Sequence, residues 1–176
     1  MKKSLLFLSL IIILSSCSLD DQEYTAQRAQ EIERADIVLT NAVYTLAQEN
    51  EEPIRLESGT LSYWIDSDRI EAERISFIQL DGDGNTAVRG SADNAVIDSS
   101  TKVMNLEGNV RLESPKDDLS ISTQYLIFDT HNSTVSSEDE VSISFDGGSI
   151  TGYNLSADLI RLRFDIQNIT SGEVEI

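Results

Sequence analysis

The chain has 176 residues, with 31 Asp and Glu against 13 Lys and Arg and a formal net charge of −18 at pH 7. That length suits one domain with a sizeable core. The acidic balance excludes nucleic acid and broad adsorption to anionic lipid, because like charges repel. The single cysteine, Cys17, excludes an intrachain disulfide, so the fold must rest on its apolar core.

Lys2 and Lys3 open the chain, and Leu5 to Leu14 is apolar apart from Ser9. This stretch is short for a membrane span, which needs about 20 residues, and it fits a signal peptide. Leu14-Ser15-Ser16-Cys17 closes it and resembles a bacterial lipoprotein signal, in which the cysteine is acylated and becomes the new N-terminus. The expectation is a signal peptide over 1–17, with lipid attached at Cys17. The alternative is an uncleaved anchor in which Cys17 is incidental. Processing would leave 11 basic against 31 acidic residues, a net charge of about −20.

Residues 18–36 are polar, with a thin apolar stripe at Tyr24, Ala26, Ala29, Ile32 and Ala35. They read as a partly helical tether that holds the following domain off a membrane. Ile37 to Leu46 is richer in β-branched residues, and a first strand is favoured over a continued helix. From Pro53 onward the chain reads as short strands separated by turns. Leu61, Tyr63 and Ile65 alternate; Ile75 and Phe77 share one face, with Ile78 and Leu80 on the other. Asp81-Gly-Asp-Gly-Asn85 reads as a hairpin loop, since Gly and Asn accept positive φ at little cost.

Residues 92–112 and 123–143 are two copies of one strand–turn–strand unit, offset by 31 positions. Ala92-Asp-Asn-Ala-Val-Ile-Asp98 aligns with Thr123-Gln-Tyr-Leu-Ile-Phe-Asp129. Each then reaches a Val and an apolar partner two further on: Val110 and Leu112, Val141 and Ile143. In the second copy Leu119, Ile121, Thr123, Tyr125 and Ile127 read as one face. Asp158 to Ile176 is a looser third copy, and Ser58 to Phe77 a candidate fourth. Such units cannot bury their apolar face alone and must stack. Strands every 8–12 residues, with no helical pattern between them, indicate an all-β sandwich, jelly roll or barrel.

No enzyme constellation emerges. His131, the only histidine, falls in a turn, and 31 carboxylates make any acidic pair unspecific. Asp81, Asp83 and Asn85 match the first calcium-loop positions, but Thr86 and Ala92 stand where Gly and Glu are needed. No phosphate loop or Cys/His metal spacing is present, so no cofactor and no metal are expected. The apolar faces remain. Tyr63, Ile75, Phe77, Ile97, Leu106, Val110, Leu112, Ile121, Tyr125, Ile127, Val141, Ile143 and Phe145 are the candidates for an interior. It forms either an ordinary filled core or a slot for an acyl chain.

Gly90-x-Ala92-x-x-Ala95, Asp98, Leu106-x-Gly108-Asn109-Val110 and Leu119-x-x-x-Thr123, followed by Ser136 to Ile143 and Gly152-Tyr-Asn-Leu155, resemble the LptC family. This is the periplasmic component of the lipopolysaccharide export ABC transporter, related to OstA/LptA-like domains. The resemblance covers residues 37–176. It implies an open, twisted β-jelly roll whose greasy interior takes the acyl chains of lipopolysaccharide or a related glycolipid. It also implies pairing with LptA-like and LptF/LptG-like jelly rolls through exposed strand edges, which template strand addition. The last strand, Gly172, Glu173, Val174, Glu175 and Ile176, is the expected partner edge. The family usually keeps a transmembrane anchor where this chain carries Cys17, which leaves open whether the inner or the outer membrane holds it. The alternative is a structural or adhesive lipoprotein with a filled core and no cargo.

Overall fold

The computed structural model describes residues 34–47 and 52–174. Cys17 and the rest of the expected signal peptide, residues 18–33 of the expected tether, residues 48–51, and Glu175 and Ile176 lie outside the described residues. Ten strands follow one another: β1 (Ile37–Leu46), β2 (Ile54–Trp64), β3 (Arg69–Leu80), β4 (Thr86–Asp98), β5 (Val103–Ser114), β6 (Leu119–Asp129), β7 (Thr134–Ser137), β8 (Val141–Phe145), β9 (Gly148–Asp158) and β10 (Arg163–Val174). All belong to one antiparallel sheet in chain order, except that β7 and β8 lie end to end between β6 and β9. β1 and β10 are its edges. Residues 37–46 do form a strand, and Asp81–Asn85 does close the β3–β4 hairpin.

One line of irregularity crosses every long strand. It passes through Asn41, Arg74, Asn109, Asn154 and Asn168, all at positive φ between 47° and 54°. Four of these five are asparagine, which tolerates the left-handed conformation better than other side chains with a Cβ. Next to Asn109, Gly108 adopts φ 78°, and the register of β4 against β5 slips there by one residue. At this seam the in–out alternation changes phase. On β3 the buried positions are Ile70 and Ala72, then Ile75 and Phe77; on β4 they are Ala92, then Ala95 and Ile97. Two consecutive residues face outward at the crossing. Each strand therefore bends while keeping apolar side chains inward on both sides, which is the function of a bulge.

The bend folds the sheet over on itself. Phe77 lies seven positions along β3 from Ile70, and Ile70 shares a cross-strand row with Ile97, Met104 and Phe128. On a flat sheet Phe77 and Phe128 would stand roughly 23 Å apart along the strands and 14 Å across them. Their ring centroids are 6.1 Å apart. The two halves of the sheet thus face each other across a single core, the arrangement of a β-jelly roll. Phe77 reaches across because its ring occupies the space where a Cβ on Gly90 would sit.

The 31-residue repeat becomes a stack of turns. Ile65–Asp68, Ser99–Lys102, Thr130–Ser133 and Leu159–Leu162 are four-residue turns, each ending in a residue at positive φ. The amides of Ser99, Thr130 and Leu159 donate to the carbonyls of Asp68, Lys102 and Ser133 at 2.9, 3.1 and 2.9 Å. Each copy is thereby tied to the preceding one at the same place.

Candidate functional site

Nine of the thirteen residues chosen from the sequence for an interior are buried in one cluster: Ile75, Phe77, Ile97, Leu106, Val110, Leu112, Ile121, Val141 and Ile143. Tyr63 and Phe145 are half-buried and pack against it. Tyr125 and Ile127 do not follow the expected alternation. The seam passes through β6 at Gln124 and Tyr125, so the inward positions run Leu119, Ile121, Thr123 and then Leu126 and Phe128. Tyr125 and Ile127 consequently stand on the outer face, where the Tyr125 hydroxyl donates to Asn105 Oδ1 at 3.3 Å. Leu126, Phe128, Met104, Ile70 and Leu155 are core residues that pattern reading missed. The available signal was a mid-strand asparagine in β1, β5, β9 and β10, at Asn41, Asn109, Asn154 and Asn168.

Inner-facing apolar residues extend to both edges of the sheet and lose their cover there. Ile37 and Leu39 of β1 pair with Tyr63 and Leu61, so they share the inner face, yet they are 40% and 45% exposed. At the opposite edge Val174 pairs with Gly148, which pairs with the half-buried Phe145, and Val174 is 60% exposed. Gly172, Glu173 and Val174 do lie on an edge strand, paired on one side to β9.

A cavity of about 650 Å³ opens where opposite ends of the folded-over strands meet. Its apolar lining is Leu80 and Val88 from the β3–β4 hairpin, facing Leu159, Ile160 and Leu162 from the last turn of the stack. The three sibling turns have at most one large apolar residue, whereas Leu159-Ile160-Arg161-Leu162 has three. Ile160 is 69% exposed. Leu162 takes φ 49°, a left-handed conformation that costs a branched side chain about 1–2 kcal/mol. Both place apolar surface at the rim of this cavity.

The carboxylates shape turns. Asp98 Oδ1 accepts from the Ser100 hydroxyl at 2.6 Å and the Thr101 amide at 2.9 Å, which holds its carboxyl below the usual value. Asp158 is lowered by the Arg161 amide and guanidinium. At Asp129 burial pushes upward, but the Asn132 side chain and amide outweigh it and the net shift is downward. Asp81 likewise closes its own hairpin, chiefly through the Asn85 amide at 2.8 Å, which lowers its carboxyl. Deeper in the fold, burial and then Tyr63 and Asp68 push the Tyr44 hydroxyl above its ordinary value. His131 is exposed in its turn. Among the described residues no cluster of metal-ligating side chains occurs, and no helix is long and apolar enough to cross a membrane.

An apolar, seam-bent jelly roll with uncovered inner faces at both edges is suited to handling an apolar ligand, and comparison with known families names one. The family described as lipopolysaccharide-assembly, LptC-related, matches residues 5–175. No curated protein sequence matches the chain. The family is one of periplasmic, inner-membrane-associated lipid-transport proteins that work with lipopolysaccharide and its transport complex. With nearly its whole length matched, the chain belongs to the LptC family and has a role in lipopolysaccharide transport.

Proposed function

We propose that this protein is a membrane-tethered periplasmic bridge that receives lipopolysaccharide, or a related glycolipid, from an inner-membrane ABC transporter. It passes the lipid to an LptA-like partner through the apolar interior. The single observation that carries this reading is the uncovered inner face at both edges. A second jelly roll docked on β1 or on β10 would continue the hydrogen-bonded ladder and the apolar lining together. In this reading β1 meets the transporter side, of LptF/LptG-like jelly rolls, and the edge Gly172 to Ile176 meets the LptA-like side. Residues 18–36 act as the tether, with lipidated Cys17 as its anchor in the inner membrane.

One observation favours the alternative, a structural or adhesive lipoprotein with a filled core: Phe77 and Phe128 meet between the two halves, and both are buried. On the bridge reading the two halves part as the acyl chains enter. The experiment is photo-crosslinking in cells from positions 39 and 174. Adducts with neighbouring jelly-roll proteins, different at the two positions, are expected. A chain that yields no protein adduct at either edge is a lipoprotein of the filled kind.

A further inference from the structure

Five polar side chains are buried among the described residues: Ser58, Ser114, Thr123, Thr130 and Ser137. Four are matched internally. Ser114 Oγ donates to the Asp117 carboxylate at 2.5 Å, and Thr123 Oγ1 to the Glu140 carbonyl at 2.9 Å. Thr130 Oγ1 donates to the Lys102 carbonyl at 2.9 Å, and Ser137 Oγ to the Tyr125 carbonyl at 2.7 Å. Ser58 Oγ has no partner, although the residue is only 7% exposed. A buried hydroxyl left unmatched opposes folding, and such groups are rare enough in native proteins to require a reason.

The position of Ser58 suggests the reason. It points inward from β2, between Leu56 and Leu61, at the seam. Its neighbour on β1 is Ala42, so the inner face is lined by small side chains there. It is one strand in from the edge where Ile37 and Leu39 lie uncovered. Replacing this serine by alanine would complete the apolar lining at no steric cost, yet the chain carries the hydroxyl.

We propose that Ser58 is a polar recognition point within the slot. Its hydroxyl donates a hydrogen bond to the ester or amide carbonyl of an acylated lipid as the chain passes between the interior and the β1 edge. This rests on reading the interior as an acyl slot. It goes further by naming the side chain that meets the acyl carbonyl as the lipid passes. One neutral hydrogen bond to an otherwise unmatched donor corresponds to a preference of about five- to tenfold.

The test uses the full chain, an environment-sensitive fluorescent fatty-acyl probe, and two monomeric short-chain phosphatidylcholines as competitors. One competitor is a diester; the other is the diether of the same chain length, which lacks the carbonyls. With the natural protein the diester should displace the probe at about five- to tenfold lower concentration than the diether. In Ser58→Ala the two should become equal through weaker diester binding, with the lipid-free melting midpoint unchanged or raised. A diester preference that survives Ser58→Ala, or equal displacement by both lipids from the natural protein, overturns the proposal while leaving the slot intact. A Ser58→Ala midpoint several degrees lower also overturns it, because the hydroxyl would then have an internal partner. Displacement by neither lipid contradicts the slot reading itself and the proposal with it.

Discussion

Phe77 of β3 and Phe128 of β6 meet with ring centroids 6.1 Å apart and planes tilted by 31°, although they belong to opposite halves of one continuous sheet. This contact closes the jelly roll. Removing a buried phenylalanine ring from such a site costs the transfer energy plus the cavity, about 3–5 kcal/mol. Phe128→Ala should therefore shift the denaturant midpoint strongly. Tyr125→Ala, three residues away on the outer face, should cost well under half as much. Equal losses would mean that the assigned phase of β6 is wrong.

The seam gives a second expectation. Asn109 stands at φ 47°, and its Nδ2 donates to Asp93 Oδ2 at 2.7 Å. Asn109→Val places a β-branched residue in the left-handed region and also loses that hydrogen bond. A destabilisation of about 2–3 kcal/mol is expected by equilibrium unfolding. Asn109→Gly keeps the conformation accessible and should cost less than Asn109→Val by at least about 1 kcal/mol.

Much of this was legible in sequence. The all-β class, the hairpin at Asp81–Asn85, the first strand at Ile37 and the recurring Asp turns follow from composition, alternation and the 31-residue repeat. The phase change within strands was not. Nothing in β6 itself marks the change, and alternation projected through Gln124 assigned Tyr125 and Ile127 to the interior in place of Leu126 and Phe128. Nor can a local pattern reveal that Phe77 and Phe128 meet, because that depends on how far every strand bends at once. The apolar run from Leu159 reads in sequence as a strand segment, Leu159 to Phe164, whereas residues 159–162 form a turn and β10 begins at Arg163; its partner across the mouth, Leu80, becomes apparent only in three dimensions.

The stack of Asp-capped turns predicts an acid sensitivity. Asp98, Asp129 and Asp158 are all held below their ordinary value of 3.8 in the folded chain. A depressed folded pKa means that the ionised carboxylate favours the folded state. This contribution is full above about pH 4 and declines as the pH falls through the lower folded values. Melting midpoints measured from pH 6 to pH 2 should drop for the natural protein below about pH 4. The triple Asp98→Asn, Asp129→Asn, Asp158→Asn variant should begin lower at pH 6 and lose less on acidification. Parallel curves would refute the assignment.

Leu162→Gly separates stability from transport. Glycine takes the positive φ without strain, so the lipid-free protein should gain up to about 1 kcal/mol. If Leu162 lines the mouth, lipid transfer to an acceptor jelly roll should fall at the same time. A variant that is both more stable and fully active would remove the mouth from the pathway.

The claim that the interior accepts lipid is tested most directly by a photoreactive amino acid placed at position 77, with position 125 on the outer face as the control, followed by irradiation of living cells. A lipopolysaccharide or glycolipid adduct from position 77 and none from position 125 is the predicted result. Absence of a lipid adduct at position 77, or equal yields at the two positions, would contradict it.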